Sequence, residues 1–211
     1  MRTMIAVPCM DMMHTAFVDS LTRLLSGKGE YEVRFGASSL IYDTRNSLLC
    51  QAIDGGFDRI IWFDSDMTFG PEVWDYLMED LDHGFGIVSG LYFKRRAPFT
   101  PVIFKKCDIA NRDDGKIEPI SEVYEDYPAD MLFDIAACGF GCVAMDVQTA
   151  KAITDRFGRY LFMPINGFGE DLSFCLRARA AGQRIFCDSR IKLGHVGQAV
   201  YNEDTYKSLH M

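Results

Sequence analysis

Two carboxylates one residue apart, Asp64 and Asp66 with Ser65 between them, directly follow the apolar run Ile60-Ile61-Trp62-Phe63. A run so uniformly apolar reads as a central parallel strand covered on both faces, and open α/β sheets bind ligands beyond the carboxyl ends of their strands. A carboxylate pair in that place suits a hard divalent cation, which takes oxygen ligands and bridges diphosphate oxygens as a Lewis acid. The same spacing elsewhere is an ordinary turn signal, because Asp closes turns readily; here the preceding strand favours a site. His195 follows a second apolar segment and sits among glycines in Gly194-His195-Val196-Gly197, where backbone can approach a ligand closely. A neutral imidazole would complete an Asp-rich shell and favour manganese over magnesium. His14, His83 and His210 lie in helix or tail contexts and read as structural.

A second acidic pair, Glu170 and Asp171, opens the helical pattern Glu170-Asp171-Leu172-Ser173-Phe174-Cys175-Leu176-Arg177. At about 100° per residue, Asp171 aligns with Cys175 and Ala178 on the apolar side, which directs its carboxylate into a cleft, while Glu170 falls off to one side. A helix N-terminus favours the ionised form, which predicts a deprotonated Asp171 available as a base. Acidic residues are also common in first turns, a reading that weighs more on Glu170 than on Asp171. Arg45 is the converse case. It aligns with Leu49, Ala52 and Ile53 on a buried face, at the start of a helix capped by Thr44, where a cation is unfavourable. An anionic neighbour, either a nucleotide diphosphate or a metal-site aspartate, would resolve that conflict. Lys94-Arg95-Arg96 is the one basic triplet; it contacts a phosphate or an acceptor, or it is a solvated charge run.

These residues need a scaffold, and the surrounding pattern supplies one. Residues 3–7 read as a buried strand stopped by Pro8, followed by a helix with Phe17, Val18, Leu21, Leu24 and Leu25 at helical spacing. Residues 31–35 alternate like a strand, and the helix bearing Leu48 and Leu49 runs to Gly55-Gly56. Gly70-Pro71 starts a helix with the stripe Val73, Trp74, Leu77 and Leu81, and residues 87–93 return as a strand. Such alternation indicates a parallel α/β sheet. Further on, residues 99–106 and 117–124 read as strands about a turn-rich segment, and residues 131–145 as one long strand broken by Gly139 and Gly141. Helices are expected over 147–157 and 170–181, with closing strands at 184–187 and 191–193. Segment 107–130, acidic and poor in apolar anchors, is expected to act as a mobile lid.

A chain of 211 residues, 48% hydrophobic and 25% charged, fits one globular domain. Its net charge of −8 argues against a broad grip on nucleic acid but leaves room for a local basic groove, so a modified-DNA acceptor stays open. Seven cysteines without a CxxC pair favour reduced, buried thiols in a cytoplasmic compartment over a disulfide framework or zinc site. The N-terminal segment is not a signal peptide, and no apolar run approaches the ~20 residues of a membrane span, so no transmembrane anchor is expected.

Taken in order, these motifs resemble the GT-A-fold, nucleotide-sugar-dependent glycosyltransferases, in particular small bacterial and phage-type members. Asp64-Ser65-Asp66 is similar to their DxD motif, Gly169-Glu170-Asp171-Leu172 with Arg177 to their G-E-D-x-x-x-x-x-R helix, and Gly194-His195 to their third metal ligand. Thr44-Arg45-Asn46, Ser89-Gly90-Leu91-Tyr92 and Cys138-Gly139-Phe140-Gly141-Cys142 resemble further landmarks, so the likeness covers most of residues 3–197. It implies a Rossmann-like, mixed, mostly parallel sheet flanked by helices over 1–197, with a nucleotide-binding half (1–93), an acceptor and catalytic half (94–197) and a C-terminal tail (198–211). It implies Asp66 and His195 as metal ligands, with Asp64 supporting metal, nucleotide or ribose. Pro8, Arg45, Ser65, Lys94 and Arg95 would lie beside the nucleotide, and Asp171 with Glu170 would be the catalytic carboxylates. Asp171 would serve as base in an inverting reaction, although relatives with a late histidine include retaining enzymes. The implied cofactor is Mn2+ or Mg2+, the donor a UDP- or GDP-linked sugar, and the acceptor a hydroxyl on a glycan, a lipid-linked molecule or another partner. Two alternatives stand beside this. A sugar nucleotidyltransferase would carry a Gly-rich basic loop where Val7-Pro8-Cys9-Met10-Asp11 stands; a non-catalytic nucleotide-sugar-binding module could dispense with Asp66, Asp171 and His195, all present here.

Overall fold

The computed structural model describes residues 1–111, 117–165 and 167–197; the expected tail, with His210, and the tip of the turn at 112–116 lie outside the described residues. Strand and helix alternate first through β1 (Thr3–Cys9), α1 (Thr15–Leu25), β2 (Tyr31–Ala37), α2 (Ile41–Asp54) and β3 (Arg59–Phe63). Then come the short β4 (Met67–Thr68), α3 (Glu72–Asp82) and β5 (Ile87–Leu91). The remainder comprises β6 (Ile103–Asn111), β7 (Ile117–Val123), β8 (Leu132–Ile135), β9 (Ala137–Cys138) and β10 (Cys142–Asp146). It closes with α4 (Val147–Phe157), α5 (Glu170–Ala180), β11 (Ile185–Lys192) and β12 (Gly194–His195).

The central sheet has seven strands in the order β2-β1-β3-β10-β5-β11-β8. β1 runs parallel to β2 and β3, and β11 parallel to β5, whereas β10 is antiparallel to both its neighbours and β8 is an antiparallel edge. Every residue of β3 and β5 is buried, which requires cover on both faces of the sheet. The period of two along each strand divides the core: Met4, Ala6, Ile60 and Trp62 pack with Leu48, Ala150 and Phe174 of α2, α4 and α5. Ile5, Val7, Ile61 and Phe63 pack on the other side with Phe17, Leu24 and Leu77 of α1 and α3.

Several expectations are corrected. Pro8 does not stop the first strand. Pairing of β1 with β3 ends at Ala6↔Trp62 while pairing with β2 runs on to Cys9↔Ala37, so Pro8 lies where one side of the strand needs no donor. α2 starts at Ile41 behind Leu40, not behind Thr44, whose hydroxyl turns back to the Leu40 carbonyl at 3.4 Å; Arg45 therefore sits about a turn deeper in its helix. Residues 131–145 are not one strand but three. A Cβ on Gly139 would lie 2.0 Å from the Tyr92 hydroxyl and one on Gly141 2.8 Å from its ring, so this glycine pair lets the chain cross against Tyr92. β9 then pairs with β6 and β10 enters the central sheet. Segment 107–130, the expected lid, begins as a hairpin in which β6 and β7 are paired from Phe104↔Val123 to Asn111↔Ile117, with Cys107 fully buried. β11, Ile185–Lys192, is one strand with a register shift between Asp188 and Lys192, where separate strands at 184–187 and 191–193 were expected.

Candidate active site

β3 ends at Phe63 and the chain turns at once, with Asp64 N donating to Gly141 O and Met67 N to Asp64 O, each at 3.1 Å. The turn places Asp64, Ser65 and Asp66 at the carboxyl end of the sheet. β4 then pairs with β12, Thr68 opposite Gly194 and Met67 opposite His195, and Val196 N donates to Asp66 O at 2.8 Å. Glycine lets that ribbon close without moving Thr68, whose Oγ1 a Cβ at 194 would meet at 2.3 Å. His195 Nε2 thereby comes to 3.4 Å from Asp66 Oδ2, while Nδ1 lies 2.9 Å from Phe93 O. A carbonyl only accepts, so Nδ1 carries hydrogen and Nε2 faces Asp66. The hydrogen bond to Asp66 raises the His195 pKa against its partial burial. Burial pushes Asp66 upward, but His195 and Arg95 outweigh it and hold the carboxyl below its ordinary range. Arg95 Nη1 contacts the same Asp66 Oδ2 and donates to Val196 O at 3.3 Å.

A second cluster centres on Arg45, whose side chain is 2% exposed. Its Nη2 lies 3.0 and 3.3 Å from the two Asp64 oxygens, and its Nε 3.6 Å from Glu170 Oε1 and 3.5 Å from Asp171 Oδ1. Burial opposes the charge, but Asp64, Asp171 and Glu170 together raise the guanidinium pKa still further. The anionic neighbour demanded by Arg45 is thus supplied from three directions within the chain. Glu170 is not off to the side as the helical wheel implies; it shares the cation with Asp171.

Asp171 also departs from expectation. Burial pushes its pKa up to about 7, with Glu170 and Asp64 adding to the rise and Arg45 opposing it. The N-terminus of α5 contributes about 1 kcal/mol at most in ordinary settings, which burial beside two carboxylates exceeds. Asp171 Oδ2 accepts from Phe140 N at 3.3 Å, while the buried Oδ1 has no hydrogen-bond partner. Burial raises Asp64 likewise, although Arg45 opposes it. Tyr92 was legible only as a landmark, yet its hydroxyl accepts from Gly141 N at 3.1 Å and its ring meets that of His195 at 5.6 Å. The usable signal was the pair of glycines that its ring requires.

Asp64, Asp66, Asp171 and His195 line one cavity of about 430 Å³, together with Tyr92 and the basic residues 94–96. A second cavity of about 470 Å³ shares Asp66 and is lined by residues 10–14 and Ser65. Pro8 is buried within β1 and lines neither. Among the described residues no three His, Cys, Asp or Glu side chains converge into a complete metal shell, since Asp64 turns to Arg45. Asp66 and His195 offer one carboxylate and one imidazole, which fits a hard cation that takes its other ligands from water and substrate phosphates.

No family model matches the chain, and no curated protein matches it. Among solved structures it is similar to A197 from STIV, with a TM-score of 0.66 and 16% identity over 94% of this chain and 87% of that one. It is similar to GalNAc-T7 crystallised with UDP, GalNAc and Mn2+, with a TM-score of 0.58 and 8% identity over 98% of this chain and 47% of that one. It is also similar to S. aureus TarS 1-349, with a TM-score of 0.57 and 16% identity over 93% of this chain and 60% of that one. The chain therefore spans less than two thirds of the latter two. The mixed seven-stranded sheet with its flanking helices has the GT-A-like fold of these neighbours.

Proposed function

We propose that this chain is a metal-dependent glycosyltransferase that moves a sugar from a nucleoside diphosphate onto an acceptor hydroxyl. The observation that carries the reading is the convergence of Asp171 with the Asp66–His195 pair in one cavity. The fold of the neighbours supports it, as do the UDP and Mn2+ held by GalNAc-T7.

The cavity of residues 10–14 and Ser65 suits the nucleoside, because it meets the catalytic cavity at Asp66 and leads the diphosphate there. Asp66 and His195 would hold Mn2+ or Mg2+ with the diphosphate oxygens, and Asp64 stays near as support. The bound cation supplies Lewis-acid neutralisation of the leaving diphosphate. Arg95, already beside Asp66, offers charge-assisted hydrogen bonds to phosphate oxygens. Asp171 takes the proton of the acceptor hydroxyl as that oxygen bonds to the anomeric carbon. The bond from that carbon to the diphosphate breaks, and its electron pair departs with the nucleoside diphosphate. A carboxyl titrating at about 7 is matched to a base working near neutral pH. Arg45 orients the base without touching the acceptor. Single displacement of this kind inverts the anomeric centre. The donor is a UDP- or GDP-linked sugar, and the unpaired cysteines suit a reducing compartment.

Incubation with a panel of UDP- and GDP-sugars, with quantification of released nucleoside diphosphate, tests the reading through slow transfer to water. One donor should be turned over with manganese and spared with chelator. If the folded protein binds a nucleotide sugar yet releases nothing with any acceptor or with water, the non-catalytic binding module takes its place.

A further inference from the structure

Residues 92–102 form a hairpin arm beside the catalytic cavity. Val102 N donates to Tyr92 O at 3.0 Å, Lys94 N to Thr100 O at 2.9 Å and Phe99 N to Arg96 O at 2.9 Å, while Phe93 bridges to Pro101. At the tip Phe99 is 60% exposed and holds φ at 53°, in the left-handed region that bulky residues avoid. Both the strained backbone and the ring in water are unfavourable, and neither adds to the core.

The arm carries both cations and aromatic rings. Lys94, Arg95 and Arg96 line the cavity that contains Asp171. Arg95 is engaged with Asp66, but among the described residues neither Lys94 nor Arg96 has a carboxylate partner. Phe93 and Phe99, with Leu193, Gly194 and Gly197, line an adjoining recess of about 430 Å³ that Lys94, Arg95 and His195 share. In a chain of net charge −8, open cations joined to open aromatic rings reverse the character of the surface locally. Cations for phosphates and rings for stacking are the two elements that hold single-stranded nucleic acid. A bilayer would be met by rings and cations on one outward face; here Lys94 and Arg95 border the ring recess, but all three cations also line the cavity of the base.

We propose that the 92–102 arm binds the acceptor, and that this acceptor is a single-stranded nucleic acid. Its phosphates lie on Lys94 and Arg96 and a base stacks on Phe99, which brings a neighbouring hydroxyl to Asp171. The proposal rests on the glycosyltransferase reading.

Fluorescence anisotropy of a labelled oligothymidylate, titrated with the full chain in the presence and absence of manganese and saturating UDP or GDP, tests it. The oligonucleotide should bind with the nucleotide site filled. Arg96→Gln should weaken binding about threefold or more and reduce the log–log salt slope by about 0.7, the share of one phosphate contact on a single strand. Phe99→Gly, which accepts the left-handed backbone without strain, should weaken binding about fivefold or more yet leave an abasic oligonucleotide of equal length unaffected. Expulsion of the oligonucleotide by nucleotide would assign the cations to the donor and overturn the proposal. Unchanged affinity in both variants, or binding to anionic phosphatidylglycerol vesicles in place of oligonucleotide, would overturn it too. Absence of manganese-dependent nucleotide binding in the same titration would instead count against the glycosyltransferase reading.

Discussion

A guanidinium that is 2% exposed and shared among Asp64, Glu170 and Asp171 leaves uncompensated charge behind when it is removed. Arg45→Met should therefore cost about 3–5 kcal/mol in urea unfolding at pH 8, the usual scale for breaking a buried ionic contact from one side. The loss should be smaller at pH 5. Burial raises Asp171 from 3.8 to about 7 and raises Asp64 as well, so between those limits the folded chain binds protons that the unfolded chain has released. Stability contributed by these groups is thus present at low pH and falls as pH rises through about 7, and loss of the cation extends that fall upward. For catalysis the sign is opposite, because the base works unprotonated: kcat/KM should rise with pH through about 7. Asp171→Asn should lose that rising limb and about 10²–10⁴-fold of transfer while keeping metal-dependent donor binding. Glu170→Gln should shift the limb downward by removing a like charge from beside Asp171. The meeting of Asp64, Asp66, Asp171 and His195 at one cavity was legible because chemistry constrains residue type and strand context. The ionisation of Asp171 was not, because Phe140, Arg45 and Asp64 meet it only in three dimensions.

At the scale of elements, the β4–β12 ribbon does the positioning. It carries Asp66 at one end and His195 on the facing strand, and its closeness depends on Gly194. Gly194→Ala sets a Cβ 2.3 Å from Thr68 Oγ1, so the Thr68 side chain must rotate or the strands part locally. Manganese binding followed by electron paramagnetic resonance should weaken markedly, while the melting temperature of the large core changes little; unaltered manganese affinity would mean that this ribbon does not set the site. α1, α3 and α5 were readable from their apolar spacing, and each buries the stripe that spacing predicts, apart from Val18, which is 43% exposed, and Leu25, which is half-buried. The breakup of residues 131–145 was hidden, because an apolar run does not say which sheet it joins. The clash of Tyr92 with any side chain at Gly139 or Gly141 decides that, and it is a long-range fact.

For the molecule as a whole, β10 and β11 come from the second half of the chain yet enter the central sheet beside β3 and β5. The carboxyl end of β3 and the helix bearing Asp171 are therefore held by one core, through Trp62, Phe140, Phe162 and Phe174. Strand and helix alternation made the parallel portion legible, while the antiparallel β10 could not be read locally, since its apolar pattern is that of any covered strand. This one scaffold sets two acidic clusters around a cavity, and a diphosphate cannot enter it favourably unless a cation lies between. Calorimetric titration of the full chain with UDP and with GDP, each with manganese and with chelator, tests that claim most directly. The account predicts firm binding of one nucleotide with manganese and feeble binding with chelator; equal affinity under both conditions would contradict it.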